Sequence, residues 1–299
     1  MTGPESVERD SRGILHPWLL RHRVAFARHP PTPALDGLVD RFWAVRWDLP
    51  AGSTHRQQVL THPAVNVTVG TPDARSGRRR PEARVTGPAL HLVDRELAGR
   101  GWTVAAMTTV GGMGAFVDVD VGTLTDRVVG ADVLEGVGEG DDLVAAVRDA
   151  GGTPDDGIGD GIGDGIGDAE REPARVAVLA AALERALDPV RAARAREVAA
   201  VARIAETDRS VHRVDDLAAR AGVGVRALQR AFTRCAGVSP TWVLRRYRLL
   251  EAAEAVREGQ RVVWSHVAAD LGYADQAHLV RDFRAALGRT PEAYARSLR

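Results

Sequence analysis

A chain of 299 residues is long enough for two ordinary domains, and 44% hydrophobic with 27% charged residues excludes wholesale disorder. No apolar run approaches the roughly 18 residues of a membrane span, the polar start MTGPESVERDSRG does not read as a secretory signal, and one cysteine, Cys235, excludes a disulfide framework or a multi-cysteine zinc site. The formal charge of zero hides an asymmetry: all 40 basic residues are Arg, and residues 191–299 carry 20 Arg against 12 acids, a net of +8 balanced by −8 elsewhere. A basic C-terminal third beside an acidic remainder points to a polyanion-binding module joined to something else, in a reducing, cytoplasmic setting.

In chain order, β-prone runs come first. Residues 42–47 (FWAVRW), 65–69 (VNVTV), Val85, 91–93, 102–110 and 116–121 are candidate strands, with Gly70, Pro72, Pro88, Gly99 and Gly101 between them. Arg78, Arg79 and Arg80 lie in a Pro/Gly-flanked turn and read as a solvated loop. Helical pieces are expected over 123–129 and 141–149. Residues 1–150 thus predict a β-rich domain, barrel or sandwich, with a few helices. Trp43, Trp47 and Trp102 are expected in its core.

Residues 151–170 begin GGTPDDGIGDGIGDGIGD, in which G-I-G-D recurs three times. Such a tract buries no core and reads as a flexible linker. It lacks the paired glycines and large apolar position of a calcium-binding nonapeptide, so no calcium is expected. After it the period becomes 3.6. Val176, Leu179, Ala180, Leu183 and Leu187 mark a connecting helix in 171–197, which Pro189 breaks.

Residues 198–299 contain an internal repeat. The segments 215–240 (DDLAARAGVGVRALQRAFTRCAGVSP) and 265–291 (SHVAADLGYADQAHLVRDFRAALGRTP) align at an offset of 50, then 51. Each has a short helix, a glycine where the chain turns (Gly222 or Gly272), and a second helix with apolar residues at i, i+4 (Leu228 and Phe232, or Leu279 and Phe283). Asp275 is placed to cap the last of these helices; Gly224 is its weaker counterpart. This is the pattern of two helix-turn-helix units, whose second helices enter major grooves. Residues 241–258 read as one joining helix. The fold class expected is α+β: a β-rich domain followed by an all-α domain of two helix-turn-helix units.

The second copy, HVAADLGYADQAHLVRDFRAALGRTPEAY, resembles the signature of the AraC/XylS family of bacterial transcription regulators: A-x-x-x-G-[FY], a polar residue and Q, then F-R-x-x-x-G-x-[ST]-P-x-x-[YF]. The resemblance covers 198–299. The N-terminal half resembles that of actinobacterial AraC-like regulators through VDRFWAVRW, QVLTHPAVNVTV, VTGP and GTLTDRVVGADVL. Those relatives carry F-R-P-G-G near 108–113, where this chain reads TTVGGM, without the Arg and Pro.

The resemblance implies a sequence-specific regulator that is not an enzyme. It also implies base-facing positions at Arg226, Gln229 and Arg230 on the first recognition helix, and at Gln276, Ala277, His278 and Arg281 on the second. Their chemistry agrees in part, since Arg pairs bidentately with guanine and Gln with adenine. Thr233, Arg234, Arg245 and Arg246 are candidates for phosphate contact, which positions without specifying. Operator DNA is the expected partner, which would place the protein on the nucleoid when bound. RNA polymerase, a small-molecule effector and a second copy of the chain are further candidates. No catalytic or metal site, cofactor or membrane partner is expected. His55 and His62 lack the spacing of a cupin metal set, and Cys235 reads as structural. Two other readings stay open: a β-barrel enzyme with an appended binding module, and a DNA-binding protein whose N-terminal domain only dimerises.

Overall fold

The computed structural model describes residues 24–59, 62–151, 166–257 and 261–297. A six-stranded antiparallel sheet has the order β1-β2-β7-β4-β5-β8, from β1 (Val24–His29), β2 (Val39–Asp48), β7 (Arg100–Thr108), β4 (Asn66–Gly70), β5 (Glu82–Thr86) and β8 (Val128–Gly130). β3 (Thr54–Val59) and β6 (Val93–Ala98) pair separately. Alternation along β2 buries Phe42 and Ala44, Trp47 on the opposite face is buried against Gly101 and the Ala98 carbonyl, and alternation along β5 buries Ala83 and Val85. This half is β-rich, as expected, though it consists of one six-stranded sheet with a two-stranded ribbon.

Two local expectations fail. The run 116–121 (FVDVDV) alternates like a strand, but no described strand pairs with it. Its Phe116, Val117 and Val121 are all buried, and Asp120 accepts from the Gly122 amide to start a single 3-10 turn, Val121–Leu124. The helix expected over 123–129 is instead the end of that turn followed by β8. Strands β1, β3 and β8 were not foreseen, and of β6 only Val93 falls in an expected run (91–93); β6 (VDRELA) and the described side chains of β3 show no buried face.

The tract 152–165 lies outside the described residues, and with it most of the linker expectation. Helix α1 (Gly140–Ala150) precedes it, with Leu143, Val144 and Val147 buried. Helices α2 (Ile166–Arg185) and α3 (Pro189–Thr207) follow; Asp188 caps α3 and Pro189 occupies its first turn. α2 returns to the sheet: Val176, Leu179, Ala180 and Leu183 share a core with Phe42, Val67 and Val104. α3 crosses between two cores, giving Ala192 and Ala195 to the first and Val198, Ala202 and Ala205 to the second.

The remaining helices are α4 (Val214–Ala221), α5 (Val225–Ala236), α6 (Pro240–Arg257), α7 (Trp264–Asp270), α8 (Gln276–Leu287) and α9 (Pro291–Ser297). Leu217, Leu228, Phe232, Val243 and Leu244 form the core of the first unit. Leu249, Leu271, Leu279, Phe283 and Tyr294 form that of the second, with Trp264 edge-on to Phe283 at 5.0 Å between centroids. α6 serves both. Among the described residues, no helix is long and apolar enough to cross a membrane, and no group of three or more His, Cys, Asp or Glu could hold a metal ion.

Candidate nucleic-acid interface

Each unit turns at a glycine in the left-handed region, Gly222 at φ 66° and Gly272 at φ 64°, where a side chain would strain the backbone. The short helix therefore ends abruptly and the second begins at an angle to it. α8 starts on Asp275, whose carboxylate accepts from the His278 amide at 2.7 Å; α5 starts on Gly224 with no side-chain cap.

Leu228, Phe232 and Cys235 turn one face of α5 inward, which leaves Arg226, Gln229 and Arg230 exposed on the other. In α8, Leu279, Phe283, Ala286 and Leu287 are buried, while Gln276, Ala277 and Arg281 are exposed. His278 is half-buried, its ring edge-on to Tyr273 at 5.0 Å. Ala277 has no side-chain hydrogen bond to offer a base, only a methyl group for apolar contact. Both helices thus present arginine and glutamine to solvent.

The phosphate candidates divide. Thr233 and Arg234 are exposed near the end of α5, with the Thr233 hydroxyl donating to the Gln229 carbonyl at 3.0 Å. Arg245 is half-buried, with its guanidinium 4.8 Å from the Tyr273 ring centroid. Arg246 departs from the expectation of phosphate contact. It is 3% exposed and donates to the carbonyls of Ala89 (3.1 Å) and Leu90 (2.7 Å), with its guanidinium 4.6 Å from the Trp242 ring centroid. Loss of water pushes its pKa down to about 10, which still leaves it charged at neutral pH. The acceptors lie more than 150 residues away, so no local pattern marks this arginine as internal.

The N-terminal domain meets this region through contacts that sequence reasoning missed, among them the 3-10 turn Val121–Leu124 against α5 and two further places. A glycine-rich 3-10 turn, Gly112–Ala115, packs against α3 and α5. A Cβ on Gly114 would lie 3.0 Å from Cys235 Cβ, so a larger residue here would have to push α5 back by a few tenths of an ångström. Burial pushes the Cys235 thiol pKa up, away from the reactive thiolate. The second place is the strap of residues 87–92. Leu90 packs on the core of the first unit and Leu92 on that of the second, where the Leu92 amide donates to the Ala285 carbonyl at 3.3 Å.

Comparison with known proteins agrees with this division. A family described as a helix-turn-helix domain matches residues 217–297, and a domain of unknown function (DUF6597) matches residues 27–130. No curated protein matches the chain. Among solved structures, the C-terminal domain of AraT, a response regulator from Geobacillus stearothermophilus, is 22% identical over 34% of this chain and 84% of its own, with a TM-score of 0.30. ToxT from Vibrio cholerae O395, bound to (E)-4-(8-methylnaphthalen-1-yl)but-3-enoic acid, is 10% identical over 93% of this chain and 99% of its own, with a TM-score of 0.36. ToxT from Vibrio cholerae strain SCE256 with bound unsaturated fatty acid is 11% identical over 85% and 94%, also with a TM-score of 0.36. These TM-scores are too low to carry an argument about fold or ligand. The family match and the paired helix geometry carry one: residues 217–297 of this chain are a helix-turn-helix domain of the AraC type.

Proposed function

We propose that this protein is a sequence-specific transcription regulator that reads two successive major grooves with α5 and α8. The observation that carries the reading is that two units of one make expose Arg226, Gln229 and Arg230 on one second helix and Gln276 and Arg281 on the other. α6, with 18 residues, is about 27 Å long at 1.5 Å per residue. That length suits two units addressing one face of B-DNA, where grooves recur about every 34 Å. Arg and Gln supply the bidentate donors that distinguish guanine and adenine, and Thr233 and Arg234 are placed to meet phosphate. The N-terminal domain is the regulatory half in this reading, because its turn at residues 112–115 and its strap touch both units.

The test is selection of bound duplexes from a random pool by the full chain, followed by affinity measurements at several salt concentrations. A recurrent site, with affinity that falls steeply as salt rises, is the expected result. A folded chain that enriches no sequence and binds no duplex with salt dependence would overturn the reading.

A further inference from the structure

A cavity of about 330 Å³ opens in the N-terminal domain between β5, β6 and the strap. Alternation along β5 sends Ala83 and Val85 into the core, and Arg84 and Thr86 to the opposite face, toward the cavity. Arg95 of β6 lines it from the other side. Such a volume is in the range of small-molecule sites, and here four arginines (Arg75, Arg84, Arg95 and Arg127) line it against three aspartates (Asp73, Asp94 and Asp126).

The lining charges do not cancel locally. Asp73 is taken by Arg75, with Nη2–Oδ2 at 2.8 Å. Asp94 pairs with Arg56, and Asp126 accepts the Leu90 amide at 2.8 Å. Arg84 holds Glu82 through Nη1 at 2.8 Å, but its Nε is buried with no hydrogen-bond partner among the described residues. The Thr86 hydroxyl is buried and unpartnered in the same sense. The Arg95 guanidinium makes no hydrogen bond or ion pair with any described residue. Loss of water, then the nearby Arg84, lowers its pKa below the usual arginine range. Two neighbouring half-buried arginines and a hydroxyl, with donors left over on Arg84 and Thr86, are suited to an oxyanion.

We propose that this cavity binds a small molecule bearing an oxyanion, a phosphate or a carboxylate, held by Arg84, Arg95 and Thr86. Gly87, Ala89 and Leu92 of the strap form another wall of the cavity, and the strap carries the Arg246 contact on α6 and the Leu92 contact on α8. An occupant therefore touches the segment that seats both helix-turn-helix units. That coupling rests on the DNA-binding reading; the binding itself does not.

The test is titration calorimetry and thermal unfolding of the full chain, without DNA, using sodium phosphate and sodium citrate against sodium chloride of matched ionic strength. Phosphate or citrate is expected to bind one per chain and to raise Tm by several degrees, with chloride doing neither; which of the two binds separates phosphate from carboxylate recognition. Arg95→Gln should weaken binding about ten-fold or more and raise Tm in the absence of the anion, because a half-buried charge beside Arg84 is gone. Thr86→Val, nearly the same shape, should weaken binding several-fold, and it decides the matter if Arg95→Gln fails to fold. Neither anion binding better than chloride, or equal affinity in wild type and the folded variants, would overturn the proposal. Either result leaves the selection of DNA sites unaffected, so the two readings fail separately.

Discussion

Gly237 and Gly288 hold the same place in the two helix-turn-helix units, each ending its second helix in the left-handed region at φ 72° and 71°. Their neighbours differ. A Cβ on Gly237 would lie 2.8 Å from the Val121 carbonyl oxygen of the N-terminal domain, whereas one on Gly288 would meet only the Leu92 side chain, at 2.9 Å. The Gly237 carbonyl also accepts from the Thr125 hydroxyl at 2.6 Å. The first unit is thus fitted backbone to backbone against the N-terminal domain and shares α3 with it. The second is held by α6, the strap and its own core. One motif, used twice, gives one unit fitted against the N-terminal domain and a second whose pose is set by a strap.

The largest effect should separate the two glycines. Gly237→Ala pays for the left-handed backbone and for a clash with a carbonyl that cannot swing away, about 3 kcal/mol. Gly288→Ala pays for the backbone and a small shift of a flexible side chain, about 1–2 kcal/mol. Urea unfolding of both variants measures this; equal losses would show that the first unit is no more tightly fitted than the second.

Removing the strap's anchor comes next. Arg246→Met keeps much of the packing on Trp242 but removes the hydrogen bonds to the Ala89 and Leu90 carbonyls, at about 2 kcal/mol. The same change should alter hydrogen exchange in the strap and in α8 more than in α4. Unchanged exchange in α8 would break the link between strap and second unit.

Helix starts give the smallest effects and test whether the units differ at their entry as well. Asp275→Ala should cost about 1 kcal/mol, and Gly224→Asp should gain a few tenths of a kcal/mol, since α5 now begins without a side-chain cap. Thermal unfolding reads both; a loss in the second variant would mean that the amides opening α5 are already satisfied.

The helix-turn-helix units were legible because their determinants are local: Leu228 with Phe232, Leu279 with Phe283, the turn glycines and the Asp275 cap all act within a few residues. The exposure of Arg226, Gln229 and Arg230 follows from that same spacing. The fate of Arg246 was not legible, because its partners are carbonyls of a distant strap, and a guanidinium on an apolar helix reads alike whether it meets phosphate or protein. The ribbon strand β6 left no alternating trace, and residues 116–121 imitated a strand because valines stand at every second position (117, 119 and 121), although Val119 is exposed while Val117 and Val121 are buried. The cavity was invisible for a similar reason: Arg84 and Arg95 come from strands in different sheets, and only the fold brings them together.

The central claim is that two units of one chain read two grooves. Chemical footprinting of the selected site, at single-base resolution with wild type, Arg230→Ala and Arg281→Ala, tests it most directly. Wild type should protect two major-groove patches about one helical turn apart. Each variant should lose about 1–3 kcal/mol of affinity and relax base preference only in its own patch. A single protected patch, or a uniform loss across the site from both variants, would contradict it.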